Sequence, residues 1–259
     1  MPRHTWGSFM SRVLFRPVLA GSILLALTAC GGGGTPSGEP APTAGSVETA
    51  PAASSSPAEV DPGTYSSEDL AEILATITTP DGSPLTIVPP DQVSAALGQA
   101  TLLMDGVTIT PSECDVVPQD FAKLAGDAET AIGVAPAADG LSAVSASIAV
   151  ADGVEDRLAE NAEKELALVS TCSTYQIEMQ GVIVRGTMES AGTGMEGSTS
   201  FGIRNSIVLP DGQQQNNTTV TAARGDLLVT VTSQVTGSPS ASSAVLEQLA
   251  GRVLAAAEG

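Results

Sequence analysis

The run NNTTVTAARGDLLVTVTSQV at residues 216–235 decides the fold. Its two halves, 216–223 and 226–235, alternate apolar with hydroxyl or amide side chains, the period-two repeat of a half-buried strand. Arg224-Gly225-Asp226 between them reads as a hairpin turn rather than an adhesion tripeptide. Upstream, FGIRNSIVL (201–209) and STYQIEMQGVIV (173–184) repeat the pattern, the latter alternating Tyr175, Ile177 and Met179 with Gln176, Glu178 and Gln180. Such a succession implies an antiparallel meander with one wet face and one covered face.

Helical periodicity brackets the meander. SSEDLAEILATI (66–77) spaces Leu70, Ile73, Leu74 and Ile77 at helical intervals behind a Ser66/Asp69 capping pair. GVEDRLAENAEKELALVSTC (153–172) sets Val154, Leu158, Ala162, Leu166 and Val169 on one expected face. In SPSASSAVLEQLAGRVLAAA (238–257), Ser238 is the expected N-cap, Pro239 the first helical residue, and Leu246, Leu249 and Val253 the buried stripe. Weaker helical signals lie at 90–100 and 120–129, and a strand signal within 106–117. TAIGVA (130–135) and SAVSASIAVA (142–151) read as paired strands around PAADG. The expected fold class is α+β, an antiparallel β-sheet with helices packed on one face.

The N-terminal region carries a different chemistry. Residues 1–29 hold Arg3, His4, Arg12 and Arg16, no acid, and the apolar run PVLAGSILLAL at 17–27. That run falls short of the roughly 20 residues a hydrocarbon core requires, and the whole reads as a secretory signal. Leu27-Thr28-Ala29-Cys30 resembles the lipobox of bacterial lipoproteins, which implies cleavage before Cys30 and acylation of it with diacylglycerol and palmitate. Two or more acyl chains anchor firmly where one binds only marginally. Residues 31–64 are rich in Gly, Pro, Ser, Ala and Thr and form a tether rather than a fold. The expected layout is therefore a signal at 1–29, a lipidated Cys30 with its tether to residue 64, and one extracytoplasmic domain at 65–259. The domain would stand on the outer face of the cell membrane.

Cleavage after Ala29 removes the only histidine and the only tryptophan and leaves seven Lys and Arg against 29 acids. Without histidine there is no Ser-His-Asp triad, Cys-His dyad or histidine metal ligand. The acidic excess disfavours nucleic acid and anionic surfaces. Tyr65, Phe121, Tyr175 and Phe201 are few for a stacking site. With Cys30 spent on the anchor, Cys114 and Cys172 read as a disulfide in an oxidising compartment; two buried free thiols are the alternative.

Other motifs resolve into turns and loops. GTGMEG (192–197) matches a dinucleotide fingerprint literally, but β-type sequence follows it where a helix is required. Asp-Gly pairs at Asp81, Asp105, Asp139, Asp152 and Asp211 lack calcium-loop spacing; Asp152 is better used as a helix cap. Lys123 and Lys164 stand outside any S-x-x-K arrangement. Asn216 and Asn217 fall in formal N-x-T sequons and read as polar hairpin residues. No catalytic residue, metal site or cofactor is expected.

The order of helix, cysteine, strands and terminal helix resembles the extracytoplasmic sensor domain of actinobacterial serine/threonine kinases of the PknH type, shared by stand-alone lipoproteins. The likeness rests on PPDQVSAALGQ with ITPSEC downstream, AEKELALVSTC, and RGDLLVTV followed by SSAVLEQLAGRVLAA, and spans roughly residues 85–257. Many members carry a Trp before the cysteine matching Cys172, where this chain has LVSTC, and some carry a second cysteine pair absent here. The resemblance implies a non-enzymatic ligand-binding or sensing role, with a small molecule or an envelope protein as partner. Two other functions compete with it: an acidic structural protein of the envelope, and a hydrolase using paired carboxylates or a Ser/Lys dyad.

Overall fold

A computed structural model describes residues 65–93, 95, 106–116, 128–137, 142–179, 181–237 and 239–259. The hairpin at 216–235 lies at the centre of its sheet. β8 (Gln214–Arg224) and β9 (Leu227–Thr236) pair antiparallel, Val220 opposite Val231 and Arg224 opposite Leu227. Gly225 turns the chain between them at φ +57°, a left-handed conformation that glycine adopts without a Cβ penalty.

The remaining strands extend from this pair in both directions. β3 (Glu129–Pro136) and β4 (Ser142–Val150) form the expected hairpin, and β4 docks on β9. β5 (Thr174–Met179), β6 (Val182–Ser190) and β7 (Thr199–Val208) complete the meander into β8. Two short strands close the edges: β1 (Thr86–Ile87) beside β3, and β2 (Val107–Thr110) beside β5. The nine-stranded order is β1-β3-β4-β9-β8-β7-β6-β5-β2, antiparallel throughout. The run at 173–184 is thus two strands rather than one, because Gly181 at φ +78° turns the chain back.

The α+β class and the antiparallel sheet agree with the sequence reading, but the helices do not share one face. α1 (Ser67–Ala75) and α3 (Ser243–Glu258) pack with Ala146, Ile148, Val220, Ala222, Val229 and Val231. α2 (Val154–Thr171) packs with Ala149, Ala223 and Leu228, which point the other way because side chains alternate along a strand. Connectivity explains the split. α2 leaves β4 beside the β8–β9 turn and must reach β5 at the opposite side of the sheet, and it crosses the face that α1 and α3 leave open.

Each helix has a local cause. Ser66 accepts a hydrogen bond from the Asp69 N–H at 3.2 Å while Asp69 accepts from the Ser66 N–H at 2.8 Å, the reciprocal capping box expected. α3 begins at an N-cap of Ser242, four residues later than expected, and Ser238 lies outside the described residues. The preceding residues are committed to the sheet: Ser240 Oγ meets Thr218 Oγ1 at 2.5 Å, and the Ala241 N–H donates to Ser233 Oγ at 3.2 Å. Leu246, Leu249 and Leu254 of α3 are fully buried, each contributing about 1.5–3 kcal/mol.

On α2 the buried residues are Val154, Leu158, Glu165 and Val169, whereas Leu166 is 41% exposed. At 100° per residue, Leu166 lies about 120° around the helix from Val154, off the stripe that Glu165 completes. The N-cap of α2 is Gly153, not Asp152; Asp226 Oδ1 accepts the Gly153 N–H at 2.7 Å. Residues 90–93 and 95 are helical, and the rest of the 90–100 and most of the 120–129 signals lie outside the described residues.

Candidate functional site

The adjacent strands β4, β9 and β8 present opposite chemistries on their two faces. Toward α1 and α3 they offer Ala146, Ile148, Val220, Ala222, Val229 and Val231, all buried. Toward α2, registration aligns Ser147 with Thr230 and Thr221, and Ser145 with Thr232 and Thr219. The next row adds Gln234 and Asn217. The result is a polar stripe three strands wide, without a formal charge, flanked by Ile132 and Val134 of β3 and by Phe201 and Ile203 of β7.

A wet sheet face is ordinarily open to solvent, but this stripe is not. Ser147 and Thr221 are buried, at 9% and 5% exposure, and Ser145, Asn217, Thr219, Thr230, Thr232 and Gln234 are half-buried. The hydroxyls pair across β8 and β9: Thr219 Oγ1 and Thr232 Oγ1 lie 3.1 Å apart, Thr221 Oγ1 and Thr230 Oγ1 3.3 Å. Each hydroxyl has one donor and two acceptor sites, so pairing leaves capacity unused. Asn217 Oδ1 is buried with no hydrogen-bond partner among the described residues, a condition that costs roughly 1–3 kcal/mol. A bound hydrogen-bond donor would relieve it.

α2 is held firmly at both ends beside this stripe. At its start Val154 and Leu158 pack on Ala149, Ala223 and Leu228. Glu155 accepts hydrogen bonds from the Gly225 N–H at 2.7 Å and from Thr199 Oγ1 at 3.4 Å. At its end Cys172, the C-cap, is bonded to Cys114 in the 3₁₀ turn Ser112–Val116, with Cα atoms 5.6 Å apart. Both cysteines are buried with Val169, Tyr175 and Met188. Tyr175 donates to Asn205 Oδ1 at 3.0 Å, and burial pushes its phenol up from the usual range.

The residues singled out in the sequence fall as follows. Cys114 and Cys172 are joined; Cys30 and Lys123 lie outside the described residues; Lys164 is exposed on α2. The hairpin tripeptide is committed to the fold: Arg224 Nη1 donates to both oxygens of the Glu258 carboxylate, at 2.8 and 3.0 Å, while Asp226 accepts the Gly153 N–H. Residues 192–197 form the β6–β7 loop, not a strand-to-helix turn. Asp81 takes hydrogen bonds from the Thr79 and Ser83 hydroxyls, which hold its carboxyl below the usual carboxylate range, Thr79 most strongly. Asp211 accepts the Gln213 N–H at 3.0 Å in its own turn. Among the described residues no three His, Cys, Asp or Glu side chains converge as a metal site would require. Sequence reading missed the polar stripe as a site; its signal was Ser145 and Ser147 in β4 answering the threonines of β8 and β9.

No family model and no curated protein matches this sequence. Among solved structures the chain is similar to the extracellular domain of PknH from Mycobacterium tuberculosis, with a TM-score of 0.40 and 11% identity over 66% of this chain and 96% of that one. It is also similar to a Mycobacterium smegmatis protein described as the Rv0999 ortholog, with a TM-score of 0.38 and 14% identity over 68% of this chain and 86% of that one. The first is the kind of domain the sequence resembles.

Proposed function

We propose that this chain is a lipid-anchored, extracytoplasmic, non-enzymatic binding domain of the bacterial envelope, and that it holds a small uncharged ligand on the α2 face of its central strands. The observation that carries the reading is the half-buried polar stripe, where Asn217 Oδ1 is left without a partner. A stripe of hydroxyls and amides without formal charge gives no ion pair to a charged ligand, so it favours a neutral one that donates and accepts hydrogen bonds. Phe201 packs into the apolar cluster under α2 and Tyr175 is buried, so recognition rests on hydrogen bonds rather than ring stacking. Anchoring through Cys30 and standoff on residues 31–64 rest on the lipobox and the tether composition.

The test is a titration of the protein with neutral, anionic and cationic small molecules of envelope origin, followed by NMR of the Asn and Gln side-chain amides. The expected result is saturable movement of the Asn217 and Gln234 amide signals with neutral ligands alone. Movement only with charged ligands, or none at those two residues, would remove the basis of the proposal.

A further inference from the structure

The opposite face of the sheet carries a cavity, separate from the polar stripe. It measures about 170 Å³ and lies between the ends of β3, β4 and β9, the start of α3 and the Thr79–Ser83 turn. Its walls are mostly apolar side chains, among them Ala135, Val144, Ala241 and Leu246, with Ser142 and Ser233 beside them. Exposed Pro80, Asp81 and Pro136 form its rim. Alanine at Ala135 and Ala241 is what leaves the space; a leucine at either would occupy part of it.

We infer that this cavity is a binding site for a small amphiphile whose apolar part has about six to eight heavy atoms and whose head is cationic. Size sets the apolar part, because a dry apolar cavity of roughly 150 Å³ admits a benzene-sized guest. Charge sets the head. Asp81 accepts from the Thr79 and Ser83 hydroxyls and from nearby backbone N–H groups, and these partners keep it ionised, so it presents a full negative charge at the rim. The start of α3 also lines the cavity and favours an anion, but a helix N-terminus amounts to about half an elementary charge. The N–H groups of Val245 and Leu246 are moreover already turned onto Ser242 O, at 3.1 and 3.3 Å. A full carboxylate charge in a chain of net −19 outweighs that. Asp81 is exposed and solvent screens it, so the preference for a cation is a factor of a few rather than orders of magnitude.

The experiment uses the full chain carrying Cys30→Ser, so that no acyl chain competes for the cavity, with n-hexylamine, 1-hexanol and hexanoate as probes. At ten times its Kd, on the order of millimolar, hexylamine raises Tm by about 3–5 °C. Hexanol binds about threefold more weakly and hexanoate about tenfold more weakly, with a shift of no more than about 1 °C at the same concentration. Asp81→Asn brings hexylamine to the affinity of hexanol. Ala241→Leu fills the space, raises the Tm of the free protein and abolishes the response to every probe; Ala135→Val serves as the second filling variant should the first not fold. Equal binding of hexanoate and hexylamine overturns the assignment of the head, and an undiminished response in a folded filling variant overturns the cavity itself.

Discussion

Tyr175 and Gly186 face each other across β5 and β6, and the tyrosine ring occupies the space that a Cβ on Gly186 would need. Such a Cβ would stand 2.6 Å from Cε2 of the ring, closer than carbon atoms pack. Gly186 is therefore a glycine for space, not for backbone freedom. Gly186→Ala should expel the ring from the cluster under α2 and destabilise the protein by about 2–3 kcal/mol in urea unfolding. Thr187→Ala, one residue along and exposed, should cost under about 0.5 kcal/mol.

The same tyrosine sets an alkaline limit. Burial raises its folded-state pKa above the unfolded value near 10, so its neutral form is favoured in the fold. The contribution is fully present below about pH 10 and is lost as pH rises through the folded pKa, where the unfolded chain sheds the proton more readily. Stability measured from pH 8 to 11 should decline at the top of that range, and less steeply in Tyr175→Phe. At neutral pH that variant should cost about 1 kcal/mol for the lost hydrogen bond to Asn205.

The Cys114–Cys172 bond closes a long loop, with a sequence separation of 58. On the chain-entropy account a loop of that size is worth about 4 kcal/mol. The Cys114→Ser/Cys172→Ser double variant should lose most of that in denaturant unfolding. It should also exchange amide hydrogens faster at the C-terminal end of α2 than at its start, where Val154 and Leu158 remain packed.

Arg224 ties the β8–β9 turn to the last turn of α3 through Glu258 and to the β6–β7 loop through the Gly197 carbonyl. Both charged side chains are partly exposed, at 33% and 42%, so solvent screens the pair. Arg224→Ala should cost no more than about 1 kcal/mol, and the loss should shrink in high salt, as thermal unfolding at two ionic strengths would register.

Much of this architecture was legible because it is written in periodicity. The strands at 201–209, 216–223 and 226–235, the hairpin of β3 and β4, the Ser66/Asp69 capping box and the Leu246/Leu249/Val253 stripe are all local patterns. What escaped was non-local. That α2 crosses the face opposite α1 and α3 follows from where β4 and β5 sit in the sheet order, which no single segment encodes. The later start of α3 comes from bonds that Ser240 and Ala241 make to Thr218 and Ser233, partners far away in sequence. The polar stripe was visible strand by strand as a wet face. Its half-buried character depends on registration that lines Ser145 and Ser147 up with four threonines, and on the helix that crosses beside them.

The sharpest test asks whether those threonines are kept for folding or for binding. Replacing Thr219 and Thr232 together by valine removes both partners of one hydroxyl pair with near-identical shape, a change that can be neutral or stabilising when the pair has no structural duty. The account predicts that Thr219→Val/Thr232→Val leaves Tm unchanged or raises it by about 2–4 °C while weakening binding of the neutral ligand at least tenfold. A Tm lower by several degrees with ligand binding intact would show that the hydroxyls hold the sheet together, and the binding surface would have to be sought elsewhere.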